Sequence, residues 1–214
     1  MISLLIETSS ERGSICLFKE NKILYQKALP FGFQNSKNLF PEIASAFKES
    51  HLEPSSLGLV MSGIGPGSYT GMRISAMAAK AISFSLKIPL VGVCSLDGFV
   101  AEEEGLFASV IDAKTGGVYM QTAFLEKEKV TLLREPTLYS LEAALPILRE
   151  VKTIVTPNSR LLKPKLERLG FKGNFVEKDP DPGFMGASGF LKYKQGKFSL
   201  NGELELLYLR RSLL

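Results

Sequence analysis

A glycine-rich loop at residues 63–71, GIGPGSYTG, joins an apolar strand-like run at 57–62 to a helix-like run at 72–86. Glycine lets a backbone turn sharply and approach other groups closely, so the loop predicts a tight strand-to-helix connection. The helix-like run is apolar nearly all round, and its charges recur every seven residues along one narrow stripe. Such a helix must be buried on most of its sides, either in a core or against another chain.

The order of the other patterns predicts an α/β fold. Three strand-like runs open the chain as an antiparallel meander, and helix-like and strand-like runs alternate after them. This order indicates mixed sheets flanked by helices, with an N-terminal subdomain at 1–105 and a C-terminal one at 106–214. The predicted strands are 2–8, 14–20, 22–29, 57–62, 88–94, 106–112, 118–125, 131–139 and 153–156, and the predicted helices are 38–50, 72–86, 96–104, 141–149 and 160–169.

The composition excludes a disordered or fibrous chain. Apolar residues make up 45% and charged residues 22%, which are ordinary values for globular proteins. No run of about 18 apolar residues occurs, and the N-terminus has no basic leader segment, so we expect a cytoplasmic protein. The net charge of +4 permits RNA or phosphate as a partner but does not require one.

Three polar clusters are candidates for holding a phosphate or a metal-bound phosphate. They are Gly65, Gly67 and Ser68 in the loop; Glu7, Thr8 and Ser9 at the turn after the first strand; and Asp112 at a later strand end. A loop that opens a helix suits an anion, yet neither the P-loop nor the dinucleotide glycine pattern is present. Each cluster also has a purely structural explanation. The loop can be a tight strand-to-helix connection, the turn after the first strand a polar hairpin, and the aspartate a hydrogen-bond acceptor for turn backbone.

Catalytic residues are not predicted from the residues themselves. His51 is the only histidine, so a multi-histidine metal site cannot form. Cys16 and Cys94 match no metal spacing. The run at 186–190, GASGF, lacks the final glycine of a nucleophile elbow.

Taken together, three motifs resemble a known family. They are LLIETS at 4–9, GPGSYTGMRI at 65–74, and IDA at 111–113 with GVY at 117–119; GVCSL at 92–96 and YLR at 208–210 add to them. Their order and spacing resemble the bacterial TsaB (YeaZ) family of tRNA threonylcarbamoyladenosine biosynthesis proteins, which is related to TsaD. The sequence departs from that family at Glu7, where aspartate is usual, and at Leu207, where proline is usual.

The resemblance implies two tandem subdomains of the actin, sugar kinase and heat-shock ATPase superfold, which is ribonuclease H-like. It also implies a non-catalytic subunit that partners a TsaD-like paralogue and a TsaE-like ATPase. Together they would attach threonylcarbamoyl to adenosine 37 of tRNAs that read codons starting with A. The chain alone would need no cofactor, ATP and magnesium would act in the complex, and tRNA would bind through the complex.

A partner surface is expected on the two helices at 38–50 and 72–86, which could pair with a paralogue or with a second copy. The predicted interface residues are Leu39, Ile43, Phe47, Met72, Arg73, Ala76, Ala79 and Lys80. On this hypothesis, Ala76→Arg or Ala79→Arg would abolish binding of the TsaD-like partner and leave the fold intact. The alternatives are an ATP-dependent kinase or ATPase that uses Glu7 and Asp112 with magnesium nucleotide, a metallopeptidase, and an RNA-binding module.

Overall fold

The computed structural model describes residues 1–30, 35–114 and 117–209. The chain divides into two compact units. The first contains Met1–Ser95 and Pro182–Leu207, and the second contains Leu96–Asp181 and the described residues from Tyr208 on.

The first unit is built on a five-stranded mixed sheet with the order β3-β2-β1-β4-β5. Its strands are β1 (Ile2–Glu7), β2 (Ser14–Lys19), β3 (Lys22–Ala28), β4 (Leu57–Gly63) and β5 (Leu90–Val93). The central strand β1 pairs antiparallel with β2 and parallel with β4. All but the first residue of β1 are buried, as expected for a central strand that is covered on both faces.

Helices cover both faces of this sheet. α1 (Asn35–Glu49) and α2 (Tyr69–Leu86) pack on the face that carries Leu4 and Ile6. α5 (Pro182–Lys194) packs on the opposite face, where Met185 and Phe190 join a cluster with Leu5 and other strand residues. Because side chains alternate along β1, the strand contributes residues to two separate hydrophobic cores, one on each face of the sheet.

The second unit repeats this strand order. β6 (Gly105–Asp112), β7 (Gly117–Glu126), β8 (Lys129–Ser140), β9 (Thr153–Thr156) and β10 (Asn174–Glu177) form a sheet with the order β10-β9-β6-β7-β8. Its first strand is central, antiparallel to the second and parallel to the fourth. α3 (Leu141–Leu148) and α4 (Ser159–Arg168) contribute buried leucines to one hydrophobic cluster with the sheet.

The α/β class with two mixed sheets flanked by helices is therefore confirmed. The division between the units differs from the expected one at 105/106, because the chain leaves the first unit after Ser95 and returns to it at Pro182. The returning segment also pairs with the edge strand β5 through Leu90 and Ser199. A single boundary in the sequence cannot describe a unit that is built from two separate segments of the chain.

The helix predicted at 96–104 is wrong. A short 3-10 helix, Ser95–Gly98, stands there instead, followed by irregular backbone. The carbonyl oxygens of this segment bond to other parts of the second unit: Asp181 N–H donates to Gly98 at 2.8 Å and Ser109 Oγ donates to Phe99 at 2.7 Å. Carbonyls engaged in this way are not available for an α-helical ladder.

Across the described ranges, no helix combines the length and the apolar character that crossing a membrane requires.

Candidate functional site

Glu7, the last residue of β1, is fully buried at the edge of the glycine-rich loop. Ser95 Oγ donates a 2.6 Å hydrogen bond to Glu7 Oε2, and the backbone N–H of Ser9 donates to Oε1. Gly63 lies against the same carboxyl, since a Cβ at this position would overlap Oε2. The carboxyl group is thus enclosed by the protein's own donors and backbone.

Ser95 connects Glu7 to the loop. Its hydroxyl accepts hydrogen bonds from Ser9 Oγ at 2.7 Å and from the N–H of Gly65 at 3.2 Å. Its own N–H donates to the Gly65 carbonyl at 2.8 Å. Burial raises the pKa of Glu7, and the hydrogen bonds from Ser9 and Ser95 oppose that shift, because burial disfavours the charged form while donors favour it.

The glycines of the loop let it lie directly on the chain that follows β1. Ser68 N–H donates to the Ser9 carbonyl at 2.7 Å, and Thr8 Oγ1 donates to the Gly71 carbonyl at 2.7 Å. A Cβ on Gly67 would come within 2.5 Å of the Ser9 oxygen, and one on Gly71 would overlap the Thr8 oxygen. Close backbone contact, rather than room for a ligand, therefore accounts for these glycines.

The loop also uses its own donors at the start of α2. Ser68 is the N-cap of this helix, and its side chain accepts a hydrogen bond from Gly71 N–H at 3.2 Å. Two loop amides that could bind a phosphate, those of Ser68 and Gly71, are therefore already paired inside the protein. This arrangement does not fit a magnesium-bound phosphate held between Glu7 and the loop.

Six of the seven predicted ligand residues thus come together in the first unit. They are Glu7, Thr8, Ser9, Gly65, Gly67 and Ser68. Sequence reasoning missed Ser95 as a member of this cluster, although the GVCSL motif that contains it was a signal. Among the residues that the structure describes, no group of three or more His, Cys, Asp or Glu side chains could hold a metal ion.

Asp112 lies in the second unit, at the end of β6. Its backbone N–H donates to Asn158 Oδ1 at 3.1 Å, and Lys114 N–H donates to its carboxylate at 3.3 Å. Lys165 Nζ lies 3.6 Å from the same carboxylate oxygen. These contacts fit a structural role for this aspartate. Its carboxylate accepts a hydrogen bond from the backbone of the following turn and forms an ion pair with a lysine.

Most of the predicted interface residues are buried, so the prediction that they form a surface is wrong. Buried positions are Leu39, Ile43, Phe47, Met72, Ala76 and Ala79, whereas Arg73 is exposed and Lys80 is half-buried. The leucine, isoleucine and phenylalanine of α1 and Ala79 of α2 face the core around β1. The small residues of α2 bring that helix close to its own sheet, so an arginine at Ala79 would have to enter the core.

The outer stripe of α2, defined as Tyr69, Arg73, Met77 and Phe84, is exposed instead. Met77 is 66% and Phe84 76% exposed, although both are large and apolar. The Arg73 guanidinium lies over the Tyr69 ring at 3.9 Å, and the first three residues of the stripe help to line a shallow depression of about 360 Å³. The two large exposed apolar side chains make this stripe a candidate interaction surface.

Comparison with known proteins identifies the family. A model of the family described as TsaD, tRNA N6-adenosine threonylcarbamoyltransferase, matches residues 34–167, which is more than half of the chain. The chain belongs to the TsaD family. A protein named tRNA threonylcarbamoyladenosine biosynthesis protein TsaB from Bacillus subtilis is 32% identical over 122 residues, 56% of this chain and 53% of that one.

A TsaB from Buchnera aphidicola (Schizaphis graminum) is 28% identical over 123 residues, which are 55% of this chain and 58% of that protein. The chain thus spans about half the length of the curated relatives that it matches. These relatives confirm the predicted resemblance of this TsaD-family chain to TsaB.

Two solved structures from Pseudomonas aeruginosa share the whole fold. One is described as YeaZ, with a TM-score of 0.82, 17% identity, and coverage of 97% of this chain and 99% of that chain. The other is described as an uncharacterized protein with similarity to peptidase YeaZ, with a TM-score of 0.82, 18% identity, and coverage of 98% and 99%. At this identity the match shows the fold alone.

Proposed function

We propose that this TsaD-family chain is a non-catalytic subunit of a tRNA-modifying assembly. It binds a TsaD-like paralogue and acts with a TsaE-like ATPase in the cytoplasm. The assembly attaches threonylcarbamoyl to adenosine 37 of tRNAs that read codons starting with A. The names of the TsaB relatives and the family model support this choice of pathway.

The enclosure of Glu7 is the observation that carries the non-catalytic part of the proposal. A carboxylate that holds magnesium or activates a nucleophile needs a free oxygen that faces substrate. Both carboxyl oxygens of Glu7 instead accept hydrogen bonds from Ser9 and Ser95, and the residue has no exposed surface. Its arrangement favours a structural role for Glu7, one that holds the loop against the end of β1.

ATP and magnesium are expected to bind the other subunits rather than this chain. The amides of Ser68 and Gly71 are paired within the first unit, and among the described residues no group of three or more His, Cys, Asp or Glu side chains could hold a metal ion. We therefore expect weak or no binding of magnesium nucleotide to the isolated chain. An ATPase that uses Glu7 and Asp112 is the alternative, and titration calorimetry with magnesium ATP distinguishes the two.

The outer stripe of α2 is the proposed docking face for the paralogue. Because Met77 and Phe84 are exposed, their apolar surface gains from burial by a partner, at about 25 cal/mol per Å². A paralogue with the same fold can present a matching helix, and two such helices pack in the way that pairs of helices do in bundles. When the paralogue is absent, a second copy of the chain can occupy the same face.

The test of the proposal is a reconstitution in which one component is left out. Threonylcarbamoyl transfer is measured with a TsaD-like enzyme, a TsaE-like ATPase, threonylcarbamoyl-adenylate and unmodified tRNA, with and without this chain. We expect modification to stop when the chain is omitted, and the chain alone to modify nothing.

A Met77→Glu/Phe84→Glu variant tests the docking face in the same assay. It should fold normally and fail both to bind the paralogue and to restore transfer, whereas Lys19→Glu/Lys22→Glu, changed at exposed sites of the same unit, should restore it. Full transfer without the chain, or turnover by the chain alone, would show that the proposed function is wrong.

A further inference from the structure

The segment between residues 149 and 172 concentrates positive charge. It contains seven lysines and arginines and two glutamates, although the whole chain has a net charge of only +4. The segment includes α4 and the chain on either side of it. A local excess of this kind creates a positive potential that a mild net charge does not reveal.

The basic residues of this segment divide into paired and unpaired groups. Lys152 pairs with Glu103 at 2.6 Å, Lys163 with Glu167 at 4.0 Å, and Lys165 with Asp112 at 3.6 Å. The other four are exposed and have no acidic partner within the part of the chain that the structure describes. These four define the basic surface: Arg149, Arg160, Arg168 and Lys172.

Three of them lie around the C-terminal end of α4. Arg168 is the last residue of that helix, and Lys172 follows after a turn in which Phe171 N–H donates to the Leu166 carbonyl at 3.0 Å. Arg149 comes from the end of α3, and its Nη2 lies 3.7 Å from where a Cβ on Gly170 would be. Arg160 stands eight residues before Arg168, about 12 Å along the helix.

We propose that the basic surface binds the phosphate backbone of the tRNA that the assembly modifies, so that this chain contacts RNA directly. This inference rests on the proposed function for its choice of RNA. Arginine suits the role because its planar guanidinium binds phosphate through two parallel hydrogen bonds. Arg160 and Arg168 on α4, together with Arg149 at the end of α3, can reach separate phosphates of a strand.

The composition of the surface favours RNA over a protein partner. Protein interfaces have an apolar centre, and around Arg149, Arg168 and Lys172 the neighbouring large apolar side chains Leu166 and Phe171 are buried. The exposed leucine of the helix, Leu161, lies near its other end, beside Arg160. Contacts with a nucleic-acid backbone need charge and hydrogen-bond donors, and those are the groups that this surface presents.

The test compares two triple variants with equal changes of charge. Arg149→Gln/Arg168→Gln/Lys172→Gln removes three charges from the basic surface, and Lys19→Gln/Lys22→Gln/Lys48→Gln removes three exposed charges from the first unit. Binding of an unmodified tRNA transcript is measured by fluorescence anisotropy at several salt concentrations, with the full chain alone and with its paralogue. Pull-down of the paralogue is measured in parallel.

We expect the first variant to lose about a hundredfold in tRNA affinity near 0.1 M salt and to reduce the salt slope by about two, as the loss of three phosphate contacts predicts. The control should bind within about twofold of the unchanged chain, and both variants should still bind the paralogue. If the unchanged chain bound tRNA but no paralogue, the proposed function would fail and the inference would stand.

Any of three outcomes of the tRNA and paralogue measurements would overturn the inference. They are unchanged tRNA binding by the first variant, an equal loss in the control, and a loss of paralogue binding that accounts for the whole effect on tRNA. Binding of the surface to phosphatidylserine vesicles, with tRNA binding unaffected by the substitutions, would assign it to a membrane and would also overturn the inference.

Discussion

The hydroxyl of Ser95 donates a 2.6 Å hydrogen bond to the buried carboxyl of Glu7, across 88 residues of sequence. This bond joins the end of the central strand to the chain that follows β5. Ser95→Ala would leave a buried acceptor with one donor fewer, and we expect a loss of about 1–3 kcal/mol in the free energy of unfolding. Urea denaturation measures it, with Ser56→Ala, which removes an exposed hydroxyl bond, as the control. Equal losses in the two variants would contradict the role of Ser95.

Glu7 should also make stability depend on pH. Burial raises the pKa of Glu7 above 4.5, so between 4.5 and the raised pKa the folded protein keeps a proton that the unfolded chain has released. The contribution of Glu7 to stability therefore falls as the pH rises through this window. Glu7→Gln cannot ionise, so its stability relative to the unchanged protein should improve from pH 4 to pH 8. Urea unfolding at each pH, with the exposed Glu53→Gln as control, checks this; parallel profiles for all three proteins would refute it.

Gly71→Ala should be strongly destabilising. The added methyl would overlap the Thr8 carbonyl oxygen, and because both partners are backbone, either the loop or the strand end must move. We expect a loss above about 2 kcal/mol, measured by thermal unfolding, since overpacking costs about 1–3 kcal/mol even where side chains can adjust. Gly58→Ala is the matched control, because its methyl meets chiefly the flexible Met1 side chain. A Gly71→Ala protein as stable as the control would show that the loop is not held there.

Arginine substitutions on the two sides of α2 should separate folding from docking. Ala79 is fully buried, so Ala79→Arg forces a charge into the core and should cost several kcal/mol. Met77→Arg places the same charge on the exposed stripe and should change stability by less than about 0.5 kcal/mol, while abolishing pull-down of the paralogue. Thermal melting and pull-down of both variants provide the measurements. A stable Ala79→Arg protein would contradict the observed face of α2.

Removal of the Phe190 ring should test whether the C-terminal segment belongs to the first unit. Phe190 packs edge-on against Phe18, with ring centroids 5.5 Å apart and planes at 89°. Phe190→Ala should therefore cost about 3–5 kcal/mol, as measured by chemical denaturation. Leu191→Ala changes the neighbouring side chain, which is 57% exposed, and should cost little. Similar losses at the two positions would argue against this packing of α5.

The strands other than β10 and most helices could be predicted from the sequence because their signals are local. The apolar run of β1 and the helical spacing of Leu39, Ile43 and Phe47 on α1 each reveal an element without knowledge of its neighbours. α5 carries no clear helical signal, because it begins at Pro182 and contains three glycines, which weaken any helical pattern. Two of these glycines are explained only by tertiary contacts, since a Cβ at Gly186 or Gly189 would press against Phe18 or Met61.

The site was harder to predict because its properties depend on what encloses each residue. The residues around Glu7 could be named from motifs, but the burial of its carboxyl depends on Ser95 and Gly63, which are far away in sequence. The wrong interface prediction has a similar cause. An almost uniformly apolar α2 does not reveal which of its sides meets the sheet. The sequence therefore predicts a partner surface on small residues that in the structure face the core.

The origin of α5 at the far end of the chain has a consequence for biosynthesis. When Met1–Ser95 emerges from the ribosome, the sheet face that carries Leu5, Phe18 and Met61 still lacks its cover, and it waits until Pro182–Lys194 has been translated. Leu96–Asp181, by contrast, is continuous and can mature as soon as it is released. The nascent first unit is therefore the species that needs protection from aggregation during translation, and a premature stop before α5 would yield a polypeptide with a permanently bare sheet.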